Sequence, residues 1–299
     1  QPGVGADLNL TESVTDLAVT KLSFKDQIVS IIPDNIFVDL TKGNMLPIIF
    51  FAILFGYFAT KVSQNASLTM TNFFTSAFEV FMKMTLFIVK FTPLGVFAIV
   101  SNIVAAQNGD HERLISIISS LGVYTAVVWA GCIIHSGAVL PALVYGFTRL
   151  NPYKHMKQMS IPLLTAFSTC SSGATLPLTM KESQEKTGIS NKIASFVLPL
   201  GSTINMNGTA LYEGVTAIFI AQAYGIDLSV GQQFVIVLTS VLASIGAAGI
   251  PMAGLVMVAV VLSAVGLPLE GIGLILAVQQ LCDMPRTAVN VHGDTCAAV

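Results

Sequence analysis

Five polar residues near the end of the chain recur at steps of three or four and therefore share one face of a helix. They are Asp283, Arg286, Thr287, Asn290 and Asp294. The guanidinium of Arg286 offers a rigid fork suited to a carboxylate, and Asp283 can accept a hydrogen bond from an ammonium group. Together these two residues would hold an amphoteric acidic solute. The alternative is an internal salt bridge between them that serves only assembly.

The same face carries oxygen atoms of the kind that alkali cations prefer. Asn290 and Asp294 supply side-chain oxygens, and an unwound segment from Asn205 to Gly208 would supply backbone carbonyls. Charges at membrane depth cost at least about 2.5 kcal/mol each on insertion scales. We therefore expect this face to contact binding partners or a water-filled cavity rather than lipid.

The segments that must position this face have an unusual composition. The stretch from Leu228 to Leu269 has 42 residues without Asp, Glu, Lys or Arg, and its middle reads Gly246-Ala247-Ala248-Gly249-Ile250-Pro251. A plain spanning helix needs only about 20 apolar residues, and Gly and Pro disfavour a continuous helix here. The pattern predicts a helical hairpin that enters the membrane and returns, with an irregular tip where protein or trapped water satisfies the backbone.

A second copy of this pattern lies upstream. Residues 171–177 (Ser-Ser-Gly-Ala-Thr-Leu-Pro) resemble residues 244–251, and each tip is followed by an Asn-x-x-Gly motif, at Asn205 and at Asn290. The chain is therefore predicted to be internally duplicated, as an inverted repeat. Paired broken segments in corresponding halves indicate a transporter with a binding site near the membrane midplane.

Composition places the chain among all-α polytopic membrane proteins. Mean hydropathy is +0.77, and 54% of the residues are hydrophobic against 10% charged, which an ordinary soluble domain does not show. A net charge of −2 without basic clusters gives no reason to expect a nucleic-acid partner. The four cysteines lack C-x-x-C spacing, so no disulfide framework or zinc site is predicted.

Two other classes of membrane protein are alternatives to a transporter. An intramembrane aspartyl protease needs carboxylates that share a proton, but Asp283 and Asp294 lie 11 residues apart on one helix, about 16 Å of rise. No Gly-x-Gly-Asp motif is present either, so we predict that the chain is not an enzyme. A channel stays open as an alternative, and saturable, sodium-dependent uptake would distinguish a carrier from a pore.

Apolar segments and polar joints alternate along the chain. The predicted membrane spans cover about 45–62, 77–106 and 114–147. They are followed by a first hairpin at about 155–182, a helix at about 189–224 that is unwound at 205–208, a second hairpin at about 230–267 and a last helix at about 269–299.

Basic residues indicate the orientation of the hairpins. Six of the 14 Lys and Arg lie between positions 149 and 192, whereas the connection at 226–233 has none. By the positive-inside tendency, the first hairpin enters from the cytoplasm and the second from outside. Two such hairpins whose tips meet near the midplane would form the two gates of an alternating-access site.

Four motifs, in this order and spacing, carry a family resemblance. They are residues 171–177, residues 205–213 (Asn-Met-Asn-Gly-Thr-Ala-Leu-Tyr-Glu), residues 246–251 and residues 283–294 (Asp-Met-Pro-Arg-Thr-Ala-Val-Asn-Val-His-Gly-Asp). The sequence resembles the glutamate and neutral amino acid transporter family, solute carrier family 1, with its prokaryotic sodium- or proton-coupled dicarboxylate symporters. The resemblance covers essentially the whole chain. The first three helices of the family are absent before Gln1, so we expect a piece of a longer chain.

The resemblance implies a homotrimer in the plasma or inner membrane. Residues 1–106 would belong to a scaffold and trimerisation part, and residues 107–299 to a transport part that moves across the bilayer like an elevator. The implied activity is uptake of glutamate or aspartate coupled to sodium entry. Proton co-transport and potassium counter-transport stay open, as does a proton- or sodium-coupled C4-dicarboxylate symporter or an anion channel-like member of the same family. Asp283 argues against the dicarboxylate, which has no ammonium group.

The resemblance also assigns site residues. The substrate would be bound by Ser171, Ser172, Thr209, Ile245, Ala248, Gly249, Asp283, Arg286, Thr287 and Asn290. Sodium ions would be held by Gly201, Thr203, Asn205, Met206, Asn207, Ser244, Ile245, Ala247, Asn290 and Asp294. Glu213 matches the carboxylate thought to carry a proton in mammalian-type members.

Two departures from the family pattern affect the predicted chemistry. Asn207 stands where many members have Asp, and an amide lacks the charge that offsets a buried cation, which leaves a third sodium site open. Cys170 stands where archaeal members have Arg, and Met284-Pro285 supplies no second Arg beside Arg286. The extra guanidinium near the substrate is therefore missing.

Overall fold

The computed structural model describes residues 32–42, 45–89, 111–245, 247, 249 and 253–299, with the single positions 91, 94, 97, 98, 101 and 105. All regular secondary structure of these residues is helical, as predicted. Residues 1–31 of the predicted scaffold, most of the end of the second predicted span and the tip positions Gly246, Ala248, Ile250 and Pro251 lie outside the described residues. Among the described residues, those up to His111 and those from Glu112 onward form two compact units.

The described part of the unit before Glu112 contains α1 (Ile36–Lys42), α2 (Met45–Ala59) and α3 (Gln64–Val89). The sequence placed a polar joint between residues 62 and 77, but most of this region is the first half of α3. Threonine hydroxyls explain the difference, because Thr69 Oγ1 donates to the Asn65 carbonyl (2.8 Å) and Thr71 Oγ1 to the Ser67 carbonyl (2.9 Å). These bonds satisfy the hydroxyls within the helix itself.

The second unit begins with a long apolar helix. It consists of α4 (His111–Ile134), a π-helical turn (His135–Val139) and α5 (Leu140–Thr148). Within it, Leu114–Thr148 is the one stretch of the described residues that is both long and apolar enough to cross a membrane by itself, and it coincides with the third predicted span. Shorter apolar helices are Phe50–Ala59, Ser160–Thr169, Val230–Ile245 and Ala253–Val265.

A proline accounts for the π-helical turn. Pro141 has no N–H for the carbonyl of Gly137, four residues earlier, so this carbonyl cannot be satisfied in the usual way. The Tyr153 hydroxyl donates to it instead (3.1 Å). The backbone N–H of Leu140 donates to the His135 carbonyl, five residues back.

The first predicted hairpin is divided into three helices rather than two. These are α6 (Pro152–Gln158), α7 (Ser160–Thr169) and α8 (Ser172–Thr187). The break at Met159 precedes Pro162, which cannot donate to the Gln158 carbonyl. Helices α7 and α8 pack against each other and are joined by a short tip in which Cys170 has a left-handed backbone (φ 52°). Ser171 caps α8 by accepting from the Ala174 N–H at 3.1 Å.

The break predicted in the next helix is observed. Helix α9 (Asn191–Ile204) ends at Asn205, and α10 (Asn207–Ala223) begins after Met206, whose backbone is not helical (φ −98°, ψ 52°). The break is shorter than predicted, because Asn207 and Gly208 already belong to α10.

The second predicted hairpin corresponds to α11 (Val230–Ile245) and α12 (Ala253–Val265), which pack against each other. The last helix was predicted to begin near residue 269, but the continuous α-helix begins ten residues later, at Gln279. Two 3₁₀ turns, Leu269–Gly271 and Leu276–Val278, flank the single α-turn α13 (Ile272–Ile275). Gly271 permits close packing here, because a Cβ on it would lie 2.5 Å from a side-chain carbon of Ile220.

Helix α14 (Gln279–Ala298) is the centre of this unit. It packs against α7, α8, α9 and α10, and most of its residues are buried. The Trp129 indole of α4 donates to the Leu281 carbonyl (2.8 Å) and contacts the Phe167 ring of α7 edge-on. His292 Nδ1 lies 2.7 Å from Ser136 Oγ in the π-helical turn. The polar face predicted from the sequence is therefore directed into protein.

Candidate substrate and cation site

Arg286 and Asp283 form a buried ion pair on α14. The Arg286 Nη2 donates to Asp283 Oδ1, which also accepts from Thr287 Oγ1 at 3.0 Å. Arg286 is 3% exposed and Asp283 is fully buried. The guanidinium carbon lies 5.2 Å from the centre of the Tyr212 ring, within the range of a cation–π contact.

The ion pair does not use all the hydrogen-bond donors of Arg286. Within the described residues, its Nε and Nη1 atoms have no hydrogen-bond partner although both are buried. A buried charged donor without an acceptor is unfavourable, by about 1–3 kcal/mol or more. The pair therefore satisfies only part of the guanidinium, and an additional acceptor would be stabilised beside it.

The ion pair borders a small cavity between helix ends. Its lining comes from both tips, from the α9–α10 break, from α12 and from α14: Cys170, Ser172, Met206, Thr209, Ala247, Gly249, Ala253, Gly254, Arg286, Thr287 and Asn290. The cavity has about 10 Å³ of free volume, barely enough for one water molecule. The site is therefore closed, and an amino acid could enter only if part of its wall moved.

The structure brings most of the predicted substrate residues together. Ser172, Thr209, Gly249, Arg286, Thr287 and Asn290 line the cavity, and Asp283 is paired with Arg286. Ser171 lies beside it and bonds to Gly249. Ile245 does not line the cavity and its side chain is 40% exposed, because it lies at the end of α11. Ala248 lies outside the described residues.

Two residues of this wall were not predicted from the sequence. Ala253 and Gly254 belong to the first turn of α12, and a Cβ built on Gly254 would coincide with the Arg286 guanidinium. Glycine is therefore required at position 254 for the arginine to occupy this place. The available sequence signal was a small-residue pair just after Pro251, which is common in any membrane helix.

The two tips meet directly. The carbonyl of Gly249 accepts hydrogen bonds from Ser171 Oγ (2.8 Å) and from the Gly173 N–H (3.0 Å). A Cβ on Gly249 would lie 3.0 Å from the Gly173 nitrogen and 3.2 Å from the Ser202 carbonyl oxygen. The absence of a side chain at position 249 therefore allows the tips to close on each other.

A carboxylate lies close to the α9–α10 break. Asp294 is 3% exposed, and its Oδ1 accepts from Asn205 Nδ2 at 2.9 Å. A Cβ on Gly201 would lie 2.7 Å from the same oxygen, so backbone of α9 approaches the carboxylate. These three predicted cation residues are therefore adjacent.

Asn290 has a different environment from the one predicted. Its Oδ1 accepts from the N–H groups of Gly208 (2.7 Å) and Thr209 (3.3 Å), and its Nδ2 donates to Thr209 Oγ1 (2.9 Å). The side chain thus caps the N-terminus of α10, where N–H groups lack partners within the helix. In this arrangement its amide oxygen faces donors rather than a cation.

The remaining predicted cation residues are spread around the break. Met206 and Ala247 line the cavity. Asn207 Oδ1 accepts from the Gly208 N–H at 2.9 Å, and Ser244 Oγ donates to the Val241 carbonyl at 2.8 Å. Thr203 donates to the Leu200 carbonyl and is exposed. The contacts seen here therefore group Gly201 and Asn205 with Asp294, whereas the side chains of Thr203, Asn207 and Ser244 bond to backbone groups within three residues.

The two Asn-x-x-Gly motifs meet at one helix crossing. A Cβ on Gly208 would strike the backbone carbonyl of Arg286, and a Cβ on Gly293 would lie 2.5 Å from Asn207 Nδ2 and 2.8 Å from Asn205 Nδ2. Both glycines therefore allow α14 to approach the α9–α10 break closely. The two motifs therefore contact each other in the folded chain.

Glu213 is a second buried acid near the arginine. It is fully buried, and neither carboxylate oxygen has a hydrogen-bond partner within the described residues. It lies one residue after Tyr212, whose ring faces the guanidinium and whose hydroxyl donates to Gln279 Oε1. A buried carboxylate without a donor is most stable when it carries a proton.

The sequence matches a known protein family. A profile of the sodium:dicarboxylate symporter family matches residues 1–299. The chain belongs to this family. Members of the sodium:dicarboxylate symporter family are integral membrane proteins, and this chain is therefore one as well, as its composition predicted.

Relatives in the sodium:dicarboxylate symporter family include transporters of two kinds. The chain is 41% identical to excitatory amino acid transporter 3 of Mus musculus over 293 residues, 98% of this chain and 53% of the relative. It is 41% identical to excitatory amino acid transporter 2 of Homo sapiens (93% of this chain, 49% of the relative). Neutral amino acid transporter A of Homo sapiens is 39% identical (85% and 47%). The chain thus spans about half the length of the curated relatives it matches.

Proposed function

We propose that this chain forms the binding part of a secondary active symporter that couples uptake of an acidic amino acid to sodium entry. One observation carries the proposal: a buried arginine, two of whose donor atoms have no partner among the described residues, lies beside a buried aspartate at a small cavity between two helix tips. The names of the excitatory amino acid transporters among its relatives support the same substrate class.

The ion pair explains how an amphoteric substrate would be bound without leaving a buried charge unpaired. In the closed site, Asp283 and Arg286 neutralise each other. When a substrate binds, its side-chain carboxylate pairs with the Arg286 guanidinium and its ammonium group pairs with the Asp283 carboxylate. Every buried charge then keeps a partner. A buried pair that loses one partner costs about 3–5 kcal/mol, which disfavours a solute with only one of the two charges. A C4-dicarboxylate would leave Asp283 unpaired.

Entry of the substrate requires the wall to open. The wall contributed by α11 and α12 is the best candidate for the gate, because its tip residue Gly249 is held to the other tip by only two hydrogen bonds. We infer that this pair of helices opens while α7 and α8 stay packed on α14. Both helix pairs are then re-entrant hairpins, which agrees with apolar arms of 10–16 residues that are short for a complete crossing.

Sodium would enter the cycle at the α9–α10 break. Asp294, the backbone near Gly201 and the Asn205 side chain supply hard oxygen atoms in a buried position. A tenfold sodium gradient provides about 1.4 kcal/mol per ion, and each net charge that crosses 100 mV adds about 2.3 kcal/mol. Two or more coupled cations therefore suffice to concentrate an anionic amino acid strongly.

Glu213 is the candidate for proton coupling. Its carboxylate is buried without a hydrogen-bond donor, so it would cross the membrane in its protonated form. Potassium counter-transport would use the same closed site after the substrate leaves. Both steps are proposals that depend on the sodium symport described above.

We propose further that the protein is a homotrimer and works by an elevator mechanism, as the family resemblance implies. The division of the chain next to residue 111 lies close to the boundary proposed between a scaffold part and a moving transport part. In this scheme the inverted repeat pairs α7–α10 with α11–α14, and the unit from Glu112 onward carries the site across the membrane.

The decisive experiment measures uptake of radiolabelled L-aspartate and L-glutamate into proteoliposomes that contain the full-length protein. Sodium, proton and potassium gradients are imposed separately. We expect saturable, sodium-driven uptake, and we expect Arg286→Lys to raise the KM at least about tenfold because lysine cannot provide the planar fork.

The control is the reverse exchange at an exposed position of α9, Lys192→Arg, which should leave uptake unchanged. Uptake driven by protons alone would remove sodium from the proposal. Equal competition by succinate and aspartate would favour the C4-dicarboxylate symporter instead. Conductance without saturable uptake would favour a channel.

A further inference from the structure

A separate cavity lies where the long apolar helix ends. It is open and shallow, with a volume of about 600 Å³, and its lining includes Tyr145, Arg149, Asn151 and Tyr153 together with the apolar residues Pro141 and Ala142. None of these residues lines the site proposed for the amino acid. Any ligand of this cavity is therefore distinct from the transported substrate.

If the long apolar helix crosses the bilayer, its length puts the cavity near the lipid head groups. The apolar helix Leu114–Thr148 has 35 residues and is about 52 Å long at 1.5 Å per residue. A bilayer with its head groups is about 40–45 Å thick, so both ends of this helix reach the polar boundary of the membrane. Arg149 follows directly on its last residue, and the exposed Phe147 lies on the membrane side of it.

The backbone holds Arg149 in an uncommon conformation. Its φ of 61° is in the left-handed region, where a helix usually ends with Gly or Asn. Its N–H donates to the Tyr145 carbonyl at 3.0 Å, and its guanidinium carbon lies 5.5 Å from the centre of the Tyr145 ring. The guanidinium is thus held over an aromatic face at the cavity instead of extending freely into water.

Hydrogen bonds also hold Tyr153 and Asn151, which line the same cavity. The Tyr153 hydroxyl donates to the Gly137 carbonyl that Pro141 leaves open. Asn151 Oδ1 accepts from the backbone N–H groups of Tyr153 and Lys154, both at 3.1 Å. The amide oxygen of Asn151 is therefore occupied, and its Nδ2 donors have no acceptor within the described residues.

The region has an excess of positive charge. The sequence contains no Asp or Glu between Glu112 and Glu182, whereas Arg149, Lys154 and Lys157 follow one another at the helix end and are exposed. Within the described part of the chain, none of the three forms an ion pair. The neighbouring helix α8 adds no net charge, because its acids Glu182 and Glu185 are matched by its own Lys181 and Lys186, and Glu182 is paired with Lys186.

We propose that this cavity binds the phosphate of an anionic phospholipid. The Arg149 fork and the Asn151 amide would donate to the phosphate oxygens, Lys154 and Lys157 would attract the negative head group, and the apolar rim along α5 would contact the acyl chains. Arginine and lysine clusters at the membrane boundary attract anionic lipids in this way. The acyl chains and the position at the membrane boundary favour a lipid over a free phosphate.

The test counts phosphatidylglycerol molecules bound to the full-length protein in detergent by native mass spectrometry during a lipid titration. Arg149→Gln should lower the affinity about fivefold, the loss expected for one basic residue near an anionic head group. Lys61→Gln is the matched control, since Lys61 also lies over a tyrosine ring, 5.3 Å from the centre of Tyr57, but outside this cavity. Lys61→Gln should leave the affinity unchanged.

A second variant separates binding from folding. Asn151→Asp keeps the cap of α6, because Asp and Asn cap helices equally well, but it replaces the amide donor by a negative charge. It should reduce phosphatidylglycerol binding more than Arg149→Gln does, with an unchanged thermal unfolding midpoint. Equal binding of phosphatidylcholine, an equal loss in Lys61→Gln, or displacement of the lipid by inorganic phosphate at comparable concentration would overturn the proposal.

Discussion

At the scale of single residues, the site is organised around one guanidinium. Arg286 contacts an acid, an aromatic ring and a glycine, and each contact limits its movement in a different direction. Asp283 pairs with Nη2, the Tyr212 ring covers one face of the guanidinium, and Gly254 leaves room for the end of the side chain. A long, flexible side chain is thereby restricted to one place. Restricting it before the substrate arrives reduces the entropy lost on binding.

The space at position 254 is testable. In Gly254→Ala the new methyl group would overlap the guanidinium, and overpacking of this kind costs about 1–3 kcal/mol. We expect the KM for aspartate to rise about tenfold while the amount of protein in the membrane stays similar, as measured by uptake in proteoliposomes of equal protein content.

The control for this variant is Gly122→Ala. Gly122 lies within α4 and a Cβ on it would meet no atom within 4 Å, so this exchange should be neutral or slightly stabilising. A wild-type KM for Gly254→Ala would mean that the arginine moves away at no cost and that Gly254 does not position it.

At the scale of elements, function depends on where helices stop. The α7–α8 tip, the α11–α12 tip and the α9–α10 break all end next to α14, so backbone groups that a continuous helix would hide become available at one point. Among the described tip residues, the contact between the tips uses one acceptor, the Gly249 carbonyl. In the proposed cycle, opening of the gate breaks the two hydrogen bonds to this carbonyl.

Closure of the gate should be sensitive to side-chain size at position 249. In Gly249→Val the side chain would approach the Gly173 nitrogen and the Ser202 carbonyl within about 3 Å, so the tips could not close. We expect uptake to fall by about tenfold or more at equal surface amount, measured with surface biotinylation beside uptake. Wild-type uptake at equal surface amount would exclude a gating contact at Gly249.

The sequence anticipated the elements whose signals are local. The helix face of Asp283 and Arg286 follows from spacing alone, and the break near Asn205 follows from a run of Asn and Gly with low helix propensity. The capping role of Asn290 could not be predicted, because the N–H groups that it accepts from belong to a helix about 80 residues earlier. Gly254 was missed for the same reason, since its partner is a distant arginine.

Two differences at element boundaries also have physical causes. The first hairpin arm is divided at Met159 because Pro162 removes one donor, and the polar start of α3 is helical because its threonines bond to their own helix. The pattern of apolar residues locates membrane-length segments well, but it does not show which hydroxyl groups form hydrogen bonds within their own helix. Polar joints were therefore predicted where the chain continues as a helix.

At the scale of the whole molecule, the proposed transport cycle requires the charges of the site to be balanced when the site crosses the membrane. Among the described residues, the surroundings of the cavity and of the α9–α10 break include one basic side chain, Arg286, and the buried acids Asp283, Asp294 and Glu213. If Glu213 carries a proton, one negative charge remains without a cationic side chain in the described structure. A bound sodium ion at Asp294 would neutralise it before the site crosses the membrane.

This balance predicts the effect of Asp294→Asn. The amide keeps the contact with Asn205 but loses the charge, so the variant should bind sodium at least about tenfold more weakly. The measurement is the sodium concentration that gives half-maximal aspartate uptake. Asp227→Asn, which makes the same exchange at an exposed position, should leave that concentration unchanged. Unchanged sodium dependence in Asp294→Asn would remove Asp294 from the cation site.

The contact of Trp129 has a practical consequence. Trp129 is the single tryptophan of this sequence, and its indole N–H is bonded to the backbone of α14 two residues before Asp283, while its ring meets α7 edge-on. Indole emission shifts in colour with hydrogen bonding and local polarity. The difference in fluorescence between the native protein and Trp129→Phe is therefore an unlabelled optical signal from the junction of three helices, available in the same cuvette in which the protein is titrated.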